Sequence, residues 1–247
     1  VALVTLFGPD EEVDAPASAE LAARLVDLGV KAVLVCGTTG EAAALELPER
    51  QALLAAVREA VPPGRGVPVI AGTGAASARQ AVMLTEAARD GGADAVLALS
   101  APYTSDQRPY YEAVAKAAGD VPVLAYNFPT ASPPGIPVGT LGDLPVAGLK
   151  ESSGDAGRLL HEVASWGGPV YVGSPSLLAL AGALGCPGAI LALANAKPEA
   201  CQAALAGDPS AQLEVAQAHR AVMGKFPAGV KDLVHDRFGC SPIARMR

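Results

Sequence analysis

A chain of 247 residues, 51% hydrophobic and 17% charged, can bury a sizeable core as one large domain, and its 27 glycines and 21 prolines punctuate it too regularly for disorder. A formal net charge of −7 without any lysine or arginine run argues against nucleic acid or an anionic membrane surface as partner and leaves small-molecule chemistry open. Cys36, Cys186, Cys201 and Cys240 stand far apart with no C-x-x-C pair, so neither a metal site nor a disulfide framework is expected, and a reducing, cytoplasmic setting is.

The chain opens inside a strand-like run, VALVTLF (1–7), with no basic flank or signal-peptide cleavage pattern. The helical segment SAELAARLVDLG follows, with apolar residues recurring at three and four. Then come the run KAVLVCG (31–37), the helix LPERQALLAAVREAV, the run VPVIAGT (67–73) and the helix SARQAVMLTEAARDGG. Further runs are ADAVLALSAP (93–102), VPVLAYNFP (121–129), VAGLKES (146–152), PVYVGSP (169–175) and GAILALAN (188–195), with the helix DAGRLLHEVASWGG before PVYVGSP. Beyond residue 195 only helical segments remain: KPEACQAALAGD, SAQLEVAQAHRAVMGK and AGVKDLVHDRFG. No apolar stretch reaches the roughly 18 uninterrupted residues of a membrane span.

Eight nearly all-apolar strands alternating with amphipathic helices predict a parallel sheet covered on both faces, closed into a (β/α)8 TIM barrel. Residues 1–195 would hold the strands and first seven helices; residues 196–247 would add the eighth helix and a short C-terminal helical extension in the same domain. An open doubly wound sheet is the alternative, disfavoured because no glycine-rich dinucleotide or P-loop fingerprint appears.

In such a barrel reactive side chains stand at the C-terminal strand ends. Here these are GTTGE (37–41), GTG (72–74), SAPYT (100–104), YNFPT (126–130), Lys150-Glu151-Ser152 and GSPS (173–176). Lys150 at the end of an apolar strand has two readings. It snorkels to water, or it stands in a shielded pocket, un-ionised, as a nucleophile toward a 2-keto acid carbonyl. Tyr126 at the preceding strand end is either a rim tyrosine with a satisfied hydroxyl or the phenol that moves protons, helped by Thr38 or Thr39. The GTTGE turn can converge backbone N–H groups and hydroxyls on a carboxylate, or be an ordinary threonine-capped turn. His161, His219 and His235 fall on predicted helices away from the strand ends and read as surface or packing residues, as do Trp166 and Met83.

GTTGEAAAL, VPVIAGTGA, APYT, YNFPT, GLKES and GAILALAN resemble, in order and approximate spacing over residues 1 to about 195, the dihydrodipicolinate synthase/N-acetylneuraminate lyase family of class I aldolases. The resemblance implies a barrel in which Lys150 forms an imine with pyruvate or another 2-keto acid, without metal or organic cofactor. It implies that Tyr126 shuttles protons, Thr38 joins the relay, and Thr39 in the turn opened by Gly37 holds the substrate carboxylate. Ile190 matches a position whose carbonyl lines the pocket, and homotetramers or homodimers are usual.

Three departures bear on the substrate. Ala131 stands where dihydrodipicolinate synthases carry the arginine that receives a second carboxylate, and an alanine next to Y-N-x-P-T resembles the 2-keto-3-deoxygluconate aldolase branch. Pro102-Tyr103-Thr104 replaces a P-Y-Y motif, so Tyr103 remains as a substrate-side aromatic while the second relay tyrosine becomes Thr104, with Tyr110 and Tyr111 as candidate replacements. Gly173-Ser174-Pro175 also lacks an acidic residue often found there. The expected function is a lyase joining pyruvate to an aldehyde or cleaving a 2-keto-3-deoxy sugar acid. Dihydrodipicolinate synthase and a non-catalytic 2-keto-acid binder are the alternatives.

Overall fold

The computed structural model describes residues 1–246. Its strands are β1 (Val33–Val35), β2 (Val69–Gly72), β3 (Ala95–Leu99), β4 (Val123–Asn127), β5 (Gly148–Glu151), β6 (Val170–Val172) and β7 (Gly188–Ala189), all parallel and paired in sequence order. This consecutive order contains no reversal point, which removes the doubly wound alternative.

The helices are α1 (Ala15–Asp27), α2 (Leu47–Ala60), α3 (Ala78–Asp90), α4 (Arg108–Ala118), α5 (Ala156–Ser165), α6 (Leu178–Ala183), α7 (Pro198–Leu205), α8 (Pro209–Met223) and α9 (Ala228–Phe238). Local chemistry starts many of them. Asp14, Ser77, Asp155 and Asp208 accept from first-turn N–H groups of α1, α3, α5 and α8, and Glu46 with Glu49 forms a capping box on α2.

Strand alternation divides the core. Val33, Val35, Val96, Ala98, Val123, Ala125 and Leu149 belong to the large cluster between sheet and helices. Leu34, Ile70, Leu97, Leu124, Tyr126 and Ile190 form a second cluster with Ala2 on the concave face. Because side chains alternate, Lys150 next to Leu149 turns toward that concave face, level with its ladder partner Tyr126.

Seven ladder strands replace the eight expected. Residues 1–7 form only the isolated bridges Ala2↔Leu34 and Phe7↔Val13, because their N–H groups go to several partners. Ala2 donates to the Leu191 carbonyl at 3.0 Å and Leu3 to the Leu34 carbonyl at 2.9 Å, while Val4 and Leu6 donate to the side chains of Asn195 and Ser18. The segment thus bonds β1 on one side and Leu191, just past β7, on the other. The last run is shorter than its hydrophobicity suggested: after Ala189 it bends into a 3₁₀ turn at Leu193–Asn195, fixed by Asn195 Nδ2 donating to the carbonyls of Ala2 and Ala192. Between β4 and β5 the connection contains a 3₁₀ segment, Val138–Asp143.

Candidate active site

At the carboxyl ends of the strands lies a cavity of about 290 Å³ lined by Thr38, Thr39, Tyr126, Lys150 and Ile190, so five of the site residues read from the sequence share one space. Lys150 is 5% exposed, its Nζ lies 4.1 Å from the centre of the Tyr126 ring, and among the described residues it has no hydrogen-bond or ion-pair partner. It faces the cavity and does not snorkel to bulk water. Tyr126 stacks on Phe128 with centroids 6.0 Å apart. Its backbone carbonyl accepts from Ser100, and Tyr111 Oη, which donates to the Ala98 carbonyl at 3.0 Å, accepts from its N–H. The Tyr126 phenol itself has no partner among the described residues, so it is open to whatever enters.

The GTTGE turn follows β1 and is closed by Glu41 N–H to the Thr38 carbonyl and Ala42 N–H to the Gly37 carbonyl. Thr39 is 3% exposed, and its hydroxyl has no hydrogen bond among the described residues. Glu41 sits in left-handed backbone at φ 57°, a conformation that costs a residue with a side chain on the order of 1 kcal/mol and needs outside support. That support comes from the far end of the chain. Lys231 of α9 pairs with Glu41, both side chains fully buried, and also donates to the Ile243 carbonyl at 2.7 Å. Met246 N–H donates to the other Glu41 oxygen at 2.6 Å. Arg245 forks onto Glu49 at 2.6 and 2.9 Å, and Lys231 and Arg245 lie 4.1 and 4.6 Å from the Phe7 ring centre. Burial pulls the Lys231 pKa down, while Glu41 pushes it back up.

A second network holds the ends of β4 and β5. Glu151, next to Lys150, accepts from Asn127 Nδ2 at 2.7 Å, from Arg158 Nε at 2.8 Å and from Ser153 N–H. Asn127 Oδ1 in turn accepts from Ile136 N–H at 2.9 Å, and Gly135 makes room: at φ 83° it needs left-handed freedom, and a Cβ there would fall 2.5 Å from Asn127 Oδ1. Glu162 of α5 is buried against Glu151 and Arg158. Burial, with the neighbouring Glu151 carboxylate, pushes Glu162 up to about 9, so it stays protonated at neutral pH and donates to Glu151. Burial works against Glu151 too, but hydrogen bonds from Glu162, Ser153 and Arg158 hold its pKa below the ordinary value.

Apart from one imidazole, the rest of the cavity wall is hydroxylic or apolar. Ser152 follows Lys150 by two residues and its Oγ is buried without a partner; a Cβ on residue 173 would lie 1.8 Å from that oxygen, so Gly173 is what admits the hydroxyl. Ser153, Ser174 and Thr130 add further hydroxyls, while α8, α9 and their connection contribute Val222, Met223, Phe226 and Val230. His219 lines the same cavity, contrary to its reading as a surface or packing residue. The helical layer that brings it there is packed onto the sheet ends by contacts far apart in sequence, which helical periodicity alone does not disclose.

A hollow of about 720 Å³ adjoins the cavity, sharing Thr38 and Tyr126, and is lined by Gly37, Ala131, Arg50 and Met246 among others. Arg50, its one lining guanidinium, is committed to the carbonyls of Leu45, Gly72 and Ala42. Tyr103 lines neither space: it is 91% exposed on the loop after β3. None of the proposed substitutes for the second relay tyrosine faces the cavity either. Thr104 bonds Asp106, Tyr110 bonds the Ala75 backbone with its phenol raised to about 12 by burial, and Tyr111 is fully buried. Among the described residues no group of three or more His, Cys, Asp or Glu side chains is placed to hold a metal ion, and no helix is long and apolar enough to cross a membrane.

The protein is a carbon–carbon lyase of class I, the class that works through a lysine imine. More narrowly, residues 1–232 match the family model described as the dihydrodipicolinate synthetase family, and the chain belongs to that family. It is 37% identical over 223 residues to the 4-hydroxy-tetrahydrodipicolinate synthase of Acidithiobacillus ferrooxidans, covering 84% of this chain and 75% of that one. Against the enzyme of the same name from Synechococcus it is 41% identical over 132 residues, only 52% of this chain and 43% of the relative. Solved structures extend the likeness to the whole fold. Dihydrodipicolinate synthase from Acinetobacter baumannii, complexed with pyruvate, superposes with a TM-score of 0.88 at 28% identity, over 99% of this chain and 92% of that one. KD(P)GA from T. tenax superposes with a TM-score of 0.86 at 25% identity, over 98% and 88%.

Proposed function

We propose that the protein joins pyruvate to an uncharged, hydroxylated aldehyde, or cleaves the corresponding 2-keto-3-deoxy sugar acid, through an imine on Lys150. The fold in this reading is a closed (β/α)8 barrel, with residues 1–5 in the eighth strand position between β1 and Leu191. The observation that carries the reading is the unpartnered Lys150 amine 4.1 Å from the Tyr126 ring centre, in a cavity whose lining includes no carboxylate or guanidinium.

Lys150 attacks the keto carbon, the carbinolamine loses water, and the protonated imine withdraws the electrons released when the bond between C3 and C4 breaks. Tyr126 takes the proton of the C4 hydroxyl as that bond opens, Thr38 passes protons on, and Thr39 with the turn begun at Gly37 grips the carboxylate. Ile190 lines the floor beside the imine. No cofactor takes part. Ala131 and the committed Arg50 give a second carboxylate no free cation in the adjoining hollow, which favours a neutral aldehyde over aspartate semialdehyde. We place the protein in the cytoplasm as a homotetramer or homodimer, with the exposed Tyr103 offered to a neighbouring copy.

Incubation with pyruvate and borohydride followed by intact-mass measurement is expected to show one trapped pyruvate in the wild type and none in Lys150→Ala. A persistent adduct in the variant refutes the imine assignment. An aldehyde panel that includes aspartate semialdehyde separates the sugar-acid reading from dihydrodipicolinate synthase. An adduct without turnover of any aldehyde would instead support a binder.

A further inference from the structure

The helical layer formed by α8 and α9 roofs the cavity with Val222, Met223, Phe226 and Val230, and His219 is its one polar lining residue. His219 is half-buried and, among the described residues, has no hydrogen bond or ion pair. Desolvation lowers its pKa below the ordinary 6.5, so the imidazole is neutral at physiological pH and offers one donor and one acceptor. Across the same space stand the hydroxyls of Ser153 and Ser174 and the unpartnered Oγ of Ser152. An apolar roof interrupted by one unpaired imidazole, facing hydroxyl groups, complements an alcohol. A carboxylate or phosphate would call for a cation at that place.

We infer that His219 binds a hydroxyl on the aldehyde-derived part of the substrate and so sets the preference for hydroxylated over plain aldehydes. The inference rests on the lyase reading above and names the group that selects its second substrate. Lys150 and the GTTGE turn handle the pyruvate half, which every substrate shares. His219 touches only the half that differs between substrates.

The test compares wild type, His219→Ala and His219→Gln in condensing pyruvate with glyceraldehyde and with propanal, which has the same carbon chain without the hydroxyls. Losing one neutral hydrogen bond in a shielded site should cut the kcat/KM ratio of glyceraldehyde to propanal about tenfold in His219→Ala. His219→Gln, which keeps a donor and an acceptor, should recover part of that ratio. An unchanged ratio in both variants overturns the inference, as does an equal loss on both aldehydes, which marks a structural role. Borohydride trapping of pyruvate by the wild type is run in parallel. Failure there overturns the lyase reading and this inference together, whereas trapping with an unchanged ratio overturns this inference alone.

Discussion

Replacing Lys231 by methionine tests whether the C-terminal tail holds the GTTGE turn, to which the proposed function assigns the substrate carboxylate. The substitution keeps much of the aliphatic stem against Phe7 but leaves Glu41 fully buried with a charge and only the Met246 N–H as partner. Removing one member of a buried ion pair costs about 3–5 kcal/mol, because the remaining charge is desolvated and uncompensated. Against a total stability of about 5–15 kcal/mol that is a large fraction. At about 2–4 °C per kcal/mol for a domain of this size, the melting temperature should fall by about 6–20 °C. The double variant Glu41→Gln/Lys231→Met removes both charges, and the new side-chain amide can still accept from Met246 N–H; it should recover about 2 kcal/mol relative to Lys231→Met. Urea and thermal unfolding followed by circular dichroism measure both, and the pyruvate dependence of borohydride trapping, taken well below the melting range, reports the turn itself through a raised half-saturation. A loss below about 1 kcal/mol in Lys231→Met, or a double variant no more stable than the single one, refutes the reasoning.

Tyr126→Phe keeps the ring beside Lys150 and removes only the phenol, so turnover should fall by about 10²–10⁴ with the unfolding transition unchanged; a loss under about tenfold would take proton transfer away from this residue. Glu162→Gln should alter the pH dependence of stability. With Glu162 raised to about 9 against an ordinary 4.5, the folded chain holds a proton that the unfolded chain has lost between those values, so this group makes unfolding easier as pH climbs through that window. Glutamine cannot ionise and can still donate to Glu151, so unfolding free energies measured in urea from about pH 5 to about pH 9 should decline less in the variant than in the wild type. Parallel curves would show that Glu162 does not carry the proton. Glu151, with its lowered pKa, acts in the opposite direction and below pH 4.5, outside that window.

The parts of the fold governed by neighbours in sequence were readable from it. Apolar runs marked the strands, but the face on which Lys150 lies stayed open between two readings until the sheet set it opposite Leu149 and level with Tyr126. The GTTGE turn, Tyr126 and Lys150 could be grouped because parallel strands bring their carboxyl ends to one side. Residues 1–7 read as a full strand because composition cannot show that successive N–H groups will serve different acceptors. Glu41 and Lys231 are 190 positions apart, and nothing local to either signals the pair. The shared proton of Glu151 and Glu162 depends on how α5 packs on β5, and His219 on how the helical layer seats itself, so both surfaced only in three dimensions.

The cavity draws its two walls from separate stretches of the chain: Lys150, Tyr126 and the other strand-end groups before residue 195, and the roof from residues 219–230. Under the proposed function, a change in the roof retunes which aldehyde is accepted while the amine and phenol stay undisturbed. On that proposal selectivity and chemistry are separately editable, and a library confined to positions 219, 222, 223 and 226 should sample new substrates while Lys150 and Tyr126 are left unaltered.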